Sequence, residues 1–279
     1  MTIDVAAQGA VDCEKEAVRR FWNRAACGEE LYLKGNSARE QFEWQAKQRY
    51  LLEPYIEKFA DFASAKDKTV LEIGVGLGAD HQRWAEHAQE LHGIDLTDRA
   101  IHYTRGRLAL FGLSSQLQVA DAEALPYDDN SFDIVYSWGV LHHSPRTDQA
   151  IREVYRVLKP GGIAKVMIYH RYSLVGYMLW IRYALFRGHP FLSLRHVYAN
   201  YLESPGTKAF SAAETRTMFE EFQETAIETV LTHGDLLTSS AGQRHGGVAL
   251  TVARSIWPRA FFRRFLPKHG LFMLIRAEK

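Results

Sequence analysis

Residues 70–79 read Val-Leu-Glu-Ile-Gly-Val-Gly-Leu-Gly-Ala, so a short apolar segment runs directly into alternating glycines. This pattern predicts a buried β-strand, a tight turn and the start of a helix. Glycine permits a sharp turn and a close approach to a ligand, and the first turn of a helix offers free N–H groups. The stretch therefore predicts a nucleotide-binding turn at one edge of an α/β sheet.

A second predicted strand ends in Asp95. An acidic side chain about 20 residues beyond such a glycine turn can accept both hydroxyls of a ribose. Gly74, Gly76 and Ala79 also satisfy the dinucleotide pattern G-x-G-x-x-A. On this motif alone, a nicotinamide-dependent oxidoreductase remains an open alternative.

Short apolar segments alternate with helical ones on both sides of the glycine turn. The predicted strands are residues 69–73, 91–94, 117–120, 132–137, 163–168, 226–231 and 271–276, and the predicted helices are 79–89, 98–111 and 147–158. This alternation predicts an α/β fold with a parallel, doubly wound sheet and helices on both faces.

The pattern of residues 1–66 is helical, which predicts an N-terminal helical cap. Residues 67–279 then form the α/β domain. Residues 170–210 and 235–269 interrupt its last strands and are interpreted as two insertions.

Four further motifs follow the glycine turn in order. The pattern E-x-G-x-G-x-G is met by Glu72, Gly74, Gly76 and Gly78, and it is followed by residues 119–127, 129–137, 141–143 and 156–162. Over residues 68–168 the chain resembles class I S-adenosylmethionine-dependent methyltransferases, nearest to the branch of ubiquinone and menaquinone biosynthesis. The resemblance implies a Rossmann-like, seven-stranded, mostly parallel sheet whose last strand is antiparallel, and S-adenosylmethionine as cofactor.

The resemblance also implies roles for individual residues. Gly74, Gly76 and Gly78 would pass the methionine moiety, with Glu72 organising their loop. Asp95 would hold the ribose, and the adenine would meet the set Leu96, Asp121 and Ala122. Ser137 and Trp138 would face the sulfonium, although Trp138 can equally belong to the core.

Methyl transfer is a displacement at an activated carbon, so an enzyme mainly aligns the nucleophile and removes a proton. Histidine suits proton removal near neutral pH, which makes His142 and His143 the catalytic candidates. A scaffolding role for this pair is the alternative. The candidates for the substrate rim are Tyr32, Tyr169, His170, Arg171 and His233.

After the fourth strand the chain reads Ser-Trp-Gly-Val at residues 137–140, where enzymes that grip a planar amino group carry Asn-Pro-Pro-Tyr. This difference favours oxygen or carbon over nitrogen as the acceptor atom. We see no cluster of Asp, Asn and Glu for a metal, so the sequence predicts no metal. Because no base is certain, a non-catalytic S-adenosylmethionine-binding subunit remains a second alternative.

The net charge is only +1, but the charges are distributed unevenly. Residues 154–202 and 236–277 contain no Asp or Glu, while arginines and aromatic residues alternate in both stretches. Such a surface suits an anionic membrane or a lipid-linked or phosphorylated substrate. Alternatively the aromatic residues are core and the arginines ordinary surface. Nucleic acid is disfavoured, since no recognisable module is appended.

The two cysteines, Cys13 and Cys27, form no metal-ligand spacing, and residues 1–16 do not resemble a signal peptide. The longest apolar run, residues 173–186, is short for a bilayer span and contains Arg182. We therefore expect a cytoplasmic protein, with peripheral attachment to a membrane left open. The oligomeric state is not indicated.

Overall fold

The computed structural model describes residues 5–29, 33–239 and 254–279. Seven strands form one sheet, and they are β1 (Thr69–Ile73), β2 (Glu90–Asp95), β3 (Gln116–Val119), β4 (Phe132–Trp138), β5 (Leu158–Tyr169), β6 (Glu224–Val230) and β7 (Phe272–Glu278). Their order across the sheet is β3-β2-β1-β4-β5-β7-β6. Strand β7 lies between β5 and β6 and is antiparallel to both, while the other pairs are parallel. The predicted sheet and its antiparallel last strand are confirmed.

The strand order reverses between β1 and β4. The chain proceeds outward in one direction through β2 and β3, then returns to the other side of β1 with β4. In open α/β sheets, ligands bind at the carboxyl ends of the strands beside such a reversal. This topology brings the loops that follow β1, β2, β3 and β4 to one edge.

Helices cover both faces of the sheet, as predicted. They are α1 (Val5–Arg24), α2 (Ala38–Leu52), α3 (Tyr55–Ala60), α4 (Ala79–Ala85), α5 (Asp98–Phe111), α6 (Thr147–Val157), α7 (Leu174–Tyr183), α8 (Leu194–Tyr201), α9 (Ala212–Met218), α10 (His233–Leu236) and α11 (Arg259–Phe265). One buried cluster joins the sheet to α6 and to Phe219, which follows α9. A second cluster on the sheet includes Ile56 of α3, Trp84 of α4 and Tyr198 of α8.

Two predicted boundaries differ from the structure by more than two residues. The helix after the glycine loop ends at Ala85 rather than residue 89, because the N–H groups of Gln89 and Glu90 turn to the carbonyl oxygen of Lys68. Strand β5 starts at Leu158, earlier than predicted, since Leu158 already pairs with Phe132 before a register shift in the ladder.

Buried polar contacts attach α2 to the glycine loop and its helix. The carboxylate of Asp80 on α4 accepts hydrogen bonds from Arg49 Nε at 2.9 Å and Arg49 Nη2 at 2.6 Å. The buried Arg107 of α5 donates to the Gln45 side chain at 2.6 Å and to the backbone oxygen of Leu77 at 3.2 Å. These bonds hold the helical N-terminal region against the edge where the loops converge.

The insertions predicted from the sequence contain α7 and α8 in residues 170–210, and the second half of α10 and all of α11 in residues 235–269. We retain the division at residue 66 and these two insertions as a proposal. Within the described ranges, no helix is long and apolar enough to cross a membrane.

Candidate active site

A cavity of about 830 Å³ opens at the carboxyl edge of the sheet. Most of the predicted site residues line it, and they are Glu72, Gly74, Gly76, Gly78, Asp95, Leu96, Asp121, Ala122, Trp138, His143, Tyr169 and His233. Ser137, His142, His170 and Arg171 lie outside its wall. Tyr32 falls outside the described residues. The loops that follow β1, β2, β3 and β4 therefore converge on one cavity of ligand size.

Two glycines of the loop that lines the cavity differ in the space around them. Gly76 has a φ of +54°, and a Cβ built there meets no atom within 4 Å. Gly74, with a φ of +86°, instead packs so tightly that a Cβ would lie 2.1 Å from Val140 Cγ2. The loop thus leaves free space beside Gly76, where a ligand can reach the backbone without steric hindrance.

Asp95 is fixed at the end of β2 by its own loop. Its Oδ1 accepts hydrogen bonds from Thr97 N at 3.0 Å and Thr97 Oγ1 at 2.8 Å, and its Oδ2 accepts one from Gly76 N at 3.2 Å. Burial raises the pKa of this carboxyl, although the hydrogen bonds from Thr97 and Gly76 oppose the rise. The carboxylate is therefore oriented in advance beside the glycine loop.

Asp121, after β3, is paired with a lysine that the sequence analysis missed. Lys15 Nζ on α1 lies 2.5 Å from Asp121 Oδ2 and 2.9 Å from Glu123 Oε2, and Lys15 lines the cavity. Val18 and Trp22 of the same helix also line it. Helix α1 therefore covers the Asp121 side of the cavity. The contact between Lys15 and Asp121 joins residues far apart in sequence, so no local motif indicates it.

Glu72 lies beneath the glycine loop and contacts a buried histidine. Its Oε2 is 2.8 Å from His81 Nδ1, and His81 Nε2 is 2.8 Å from Ser115 Oγ. Ser115 Oγ donates its proton to the Leu91 carbonyl, so it must accept from His81 Nε2–H. Burial lowers the pKa of His81 to about 3 and raises that of Glu72. Glu72 is therefore the protonated donor to a neutral His81.

One part of the cavity wall, which we call the apolar chamber, is formed by apolar side chains of α7 and at the start of β7, namely Val175, Met178, Leu179, Leu271 and Phe272. Trp138, whose ring packs edge-on against Phe272 with 5.9 Å between the centroids, donates from Nε1 to Glu53 Oε2 at 3.0 Å. This part of the wall suits an apolar ligand.

His143 lines the cavity, and the turn at residues 203–208 holds it. Its Nδ1 lies 2.8 Å from Ser204 Oγ and 3.2 Å from Thr207 Oγ1. Ser204 Oγ can donate to Nδ1 or accept from Nδ1–H, so both neutral tautomers of His143 are compatible with these contacts. Nε2 lies 3.4 Å from Glu203 Oε2. Glu203 lines the cavity and also accepts a hydrogen bond from Tyr169 OH at 2.8 Å.

His142 occupies a different environment from its neighbour. Its side chain is fully buried, and its ring centroid lies 3.9 Å from that of Tyr169. Burial lowers its pKa well below the usual range, so the ring is neutral. Among the described residues, one group of side chains could offer ligands to a metal ion. It consists of one atom each from His142, His143 and Glu203, and these atoms lie within 4.8 Å of one another. The absence of a metal stays a prediction.

Apart from His142, the candidates outside the wall have polar partners in the fold. Ser137 Oγ donates to the Ile73 carbonyl oxygen at 3.1 Å, and His170 Nδ1 lies 3.2 Å from the Gly270 carbonyl oxygen. Arg171 pairs with Glu214 at 2.6 Å. These contacts join strands and insertions rather than facing a ligand.

Known proteins resemble the central part of this chain. Residues 71–166 match the family described as a methyltransferase domain. Phosphoethanolamine N-methyltransferase 2 of Caenorhabditis elegans is 34% identical over 116 residues, which are 41% of this chain and 26% of that protein. A ubiquinone/menaquinone biosynthesis C-methyltransferase of Neisseria meningitidis is 36% identical over 105 residues, which are 37% of this chain and 43% of that protein.

A solved structure shows the same fold. Phosphoethanolamine N-methyltransferase 2 of Haemonchus contortus, in complex with phosphomonomethylethanolamine and S-adenosylhomocysteine, aligns with a TM-score of 0.58 at 17% identity. The alignment covers 94% of this chain and 60% of that chain. The matches to the two curated relatives span less than half of either relative's length. The sequence match to the methyltransferase family runs from β1 to β5 and includes the glycine loop, while β6 and β7 lie outside it.

Proposed function

We propose that this chain, whose residues 71–166 form a class I methyltransferase domain, transfers a methyl group from S-adenosylmethionine to an apolar small-molecule or lipid-linked acceptor. The observation that carries the proposal is the single cavity. Its wall contains the glycine loop, Asp95 and Asp121, and it also contains His143 and the apolar chamber of α7 and the start of β7. Such a cavity suits two ligands that meet at its centre.

The residues present fit the cofactor. The open space at Gly76 accommodates the methionine moiety along Gly74, Gly76 and Gly78. Asp95 is oriented to accept the ribose hydroxyls, and the adenine-side set is Leu96, Asp121 and Ala122. When bound, the cofactor supplies a methyl group already activated by the sulfonium. The protein then has to align the acceptor and remove its proton.

We assign proton removal to His143 rather than to the enclosed His142. In the tautomer that carries its proton on Nδ1, this N–H donates to Ser204 or Thr207, and the lone pair of Nε2 takes a proton from the acceptor. Glu203, at 3.4 Å, then stabilises the resulting imidazolium. A base at this place favours an acceptor that must lose a proton to attack, which is typical of hydroxyl and acidic C–H groups. This supports oxygen or carbon over nitrogen as the acceptor atom.

The test of cofactor binding is calorimetric titration with S-adenosylhomocysteine, with NADH as the competing ligand. We expect binding of the former only. Asp95→Ala should weaken it at least about tenfold, the equivalent of one lost charge-assisted hydrogen bond. The matched control, Asp98→Ala, removes a nearby exposed carboxylate that pairs with Arg19 and should leave affinity unchanged. Binding of NADH alone would instead favour the oxidoreductase alternative.

The test of chemistry is transfer of a labelled methyl group to an extract of apolar metabolites. His143→Gln should lower the turnover rate by about 10²–10⁴, the usual contribution of a general base, with a smaller change in affinity for S-adenosylhomocysteine. If no extract accepts the methyl group although the cofactor binds, the chain is a non-catalytic binding subunit.

A further inference from the structure

Large apolar side chains are exposed on two segments beside the cavity, residues 174–191 and 254–269. Phe186 and Phe191, which follow α7, are 80% and 98% exposed, and Phe265 of α11 is 64% exposed. Ile256 and Phe261 are exposed in the same two segments. Isolated apolar side chains on a surface are ordinary, but groups of them usually mark an interaction site.

The two segments meet at the cavity. Phe186 from the first and Trp257 from the second both line it. Tyr177 OH of α7 lies 2.9 Å from Nδ1 of His269, which follows α11. Because Phe186 belongs both to the exposed group and to the cavity wall, the apolar surface continues from outside into the apolar chamber.

Other aromatic residues of the same segments are packed inward. Trp180 Nε1 donates to the Leu192 carbonyl oxygen, Trp257 Nε1 donates to the Asp235 carbonyl oxygen, and the Tyr183 ring stacks on Tyr201 at 4.2 Å. These contacts support the segments from beneath. The exposed apolar residues are therefore presented by packed elements.

The charge of both segments is positive. Residues 171–202 and 254–277 contain no Asp or Glu. Arg171 and Arg195 pair with Glu214. Within the described ranges no carboxylate pairs with the remaining exposed-face cations, which are Arg182, Arg187, Arg263, Arg264 and Lys268. These groups are available to an anionic partner.

We propose that residues 181–191 and 256–268, together the docking face, bind the surface of an anionic lipid bilayer. The apolar side chains enter the headgroup boundary, and the cations meet anionic lipid headgroups. The cavity then opens toward the lipid, so an apolar acceptor enters from the bilayer; this last step rests on the proposed function. Aliphatic groups such as Ile256 and Leu185 favour lipid over single-stranded nucleic acid, which is bound by stacking on aromatic rings.

The experiment is flotation of the full chain with phosphatidylcholine vesicles, with and without about 30 mol% phosphatidylglycerol, at physiological salt. We expect binding to the anionic vesicles only. Phe191→Ser with Phe265→Ser should abolish it. Arg263→Gln with Arg264→Gln should weaken it about twentyfold, since each cation near such a surface contributes about fivefold. Matched controls elsewhere on the surface, Leu110→Ser and Arg216→Gln, should bind as the unaltered chain does.

Affinity for S-adenosylhomocysteine is measured for every variant. None of the substituted residues lines the cavity, so retained affinity shows that the variants are folded. Failure of the unaltered chain to bind S-adenosylhomocysteine would refute the proposed function while leaving the vesicle result to be judged separately.

Three outcomes would overturn the docking proposal. One is absence of binding to anionic vesicles. Another is equal vesicle binding by the unaltered chain and both double variants. The third is that the same substitutions leave lipid binding unchanged but alter the molar mass in light scattering or abolish binding to single-stranded nucleic acid. That result would assign the face to a second copy or to nucleic acid.

Discussion

At the scale of single residues, the glycines of the loop after β1 face different surroundings although their sequence context is alike. Gly74 abuts Val140 in the protein interior, whereas Gly76 faces open cavity. The sequence predicts that glycine is needed at both positions but not for which reason, because the reason depends on residues after β4.

We therefore expect alanine substitutions at Gly76 and Gly74 to differ in their effects on ligand binding and on stability. Gly76→Ala should cost about 1 kcal/mol of stability, the price of a left-handed conformation, yet prevent S-adenosylhomocysteine binding. Gly74→Ala should be more destabilising, by about 1–3 kcal/mol beyond that strain, because its methyl group would overlap Val140. Urea unfolding and calorimetry measure the two effects. Val140→Ala should partly rescue Gly74→Ala but not Gly76→Ala, and the reverse pattern would contradict the geometry.

Glu72 offers a second test, because its proton is assigned by its neighbours. Glu72→Gln preserves a donor to His81 Nδ1 and should change the free energy of unfolding by less than about 1 kcal/mol. Glu72→Ala leaves that nitrogen buried without a donor and should cost about 1–3 kcal/mol. Denaturant unfolding at pH 7 compares the two. Equal destabilisation by both variants would mean that Glu72 is ionised in the folded protein.

The candidate site was predictable where its residues follow strands in one continuous pattern, as Asp95 and Asp121 do. The sequence did not predict the contributions of Lys15 and Glu203 to the site. Lys15 lies on α1 and Glu203 in the turn at residues 203–208, both far in sequence from the motifs that follow the strands. Only the folded chain brings them to the cavity. The enclosure of His142 was equally unpredictable, since it shares its sequence context with His143, which lines the cavity.

At the scale of elements, one buried carboxylate contributes several of the contacts that attach α2 to the sheet domain. Asp80 accepts hydrogen bonds from Arg49 and Tyr50 of α2 and from Tyr136 of β4. Burial alone would raise the pKa of Asp80, but the charge of Arg49 and these hydrogen bonds outweigh burial and lower it. The sequence predicted the helices and strands that meet here, but not this contact, since it joins parts of the chain with no common periodicity.

Removing that carboxylate should release α2. We expect Asp80→Ala to cost about 3 kcal/mol, the lower end for a broken buried pair, because Arg49 is partly exposed. Asp148→Ala, which breaks the exposed pair with Arg152, should cost less than about 1 kcal/mol. Thermal unfolding measures both, and similar losses would show that Asp80 has no special role.

The same pair has a defined pH dependence. A carboxyl whose pKa is lowered on folding stabilises the protein above its unfolded pKa of about 3.9, and this contribution is lost as the pH falls through the lower, folded value. Between about pH 4 and the acid unfolding range, the stability difference between the unaltered chain and Asp80→Asn should therefore shrink. A difference that grows on acidification would contradict the lowered pKa.

At the scale of the whole molecule, α1 covers the cavity while being weakly held. Among residues 9–24, Val18 is the only fully buried side chain. Ion pairs that are partly exposed supply much of the rest, such as Lys15 with Asp121 and Glu14 with Lys208. Helices held in this way open more readily than the core.

Trypsin should therefore cleave after Arg19, Arg20 or Arg24 earlier than in the sheet domain. Because Lys15, Val18 and Trp22 line the cavity, S-adenosylhomocysteine at about 100 times its dissociation constant should slow this cleavage by up to about a hundredfold. Time courses with NADH serve as the control. Equal cleavage rates with and without S-adenosylhomocysteine would mean that α1 does not contact the bound ligand.

Phe186, which is both cavity wall and exposed surface, has a kinetic consequence for the proposed methyl transfer. If the acceptor enters past this side chain from a bilayer, the turnover rate depends on the mole fraction of acceptor among the lipids of that bilayer. Adding inert lipid would then dilute the acceptor and slow the reaction, even though its amount per volume of solution has not changed.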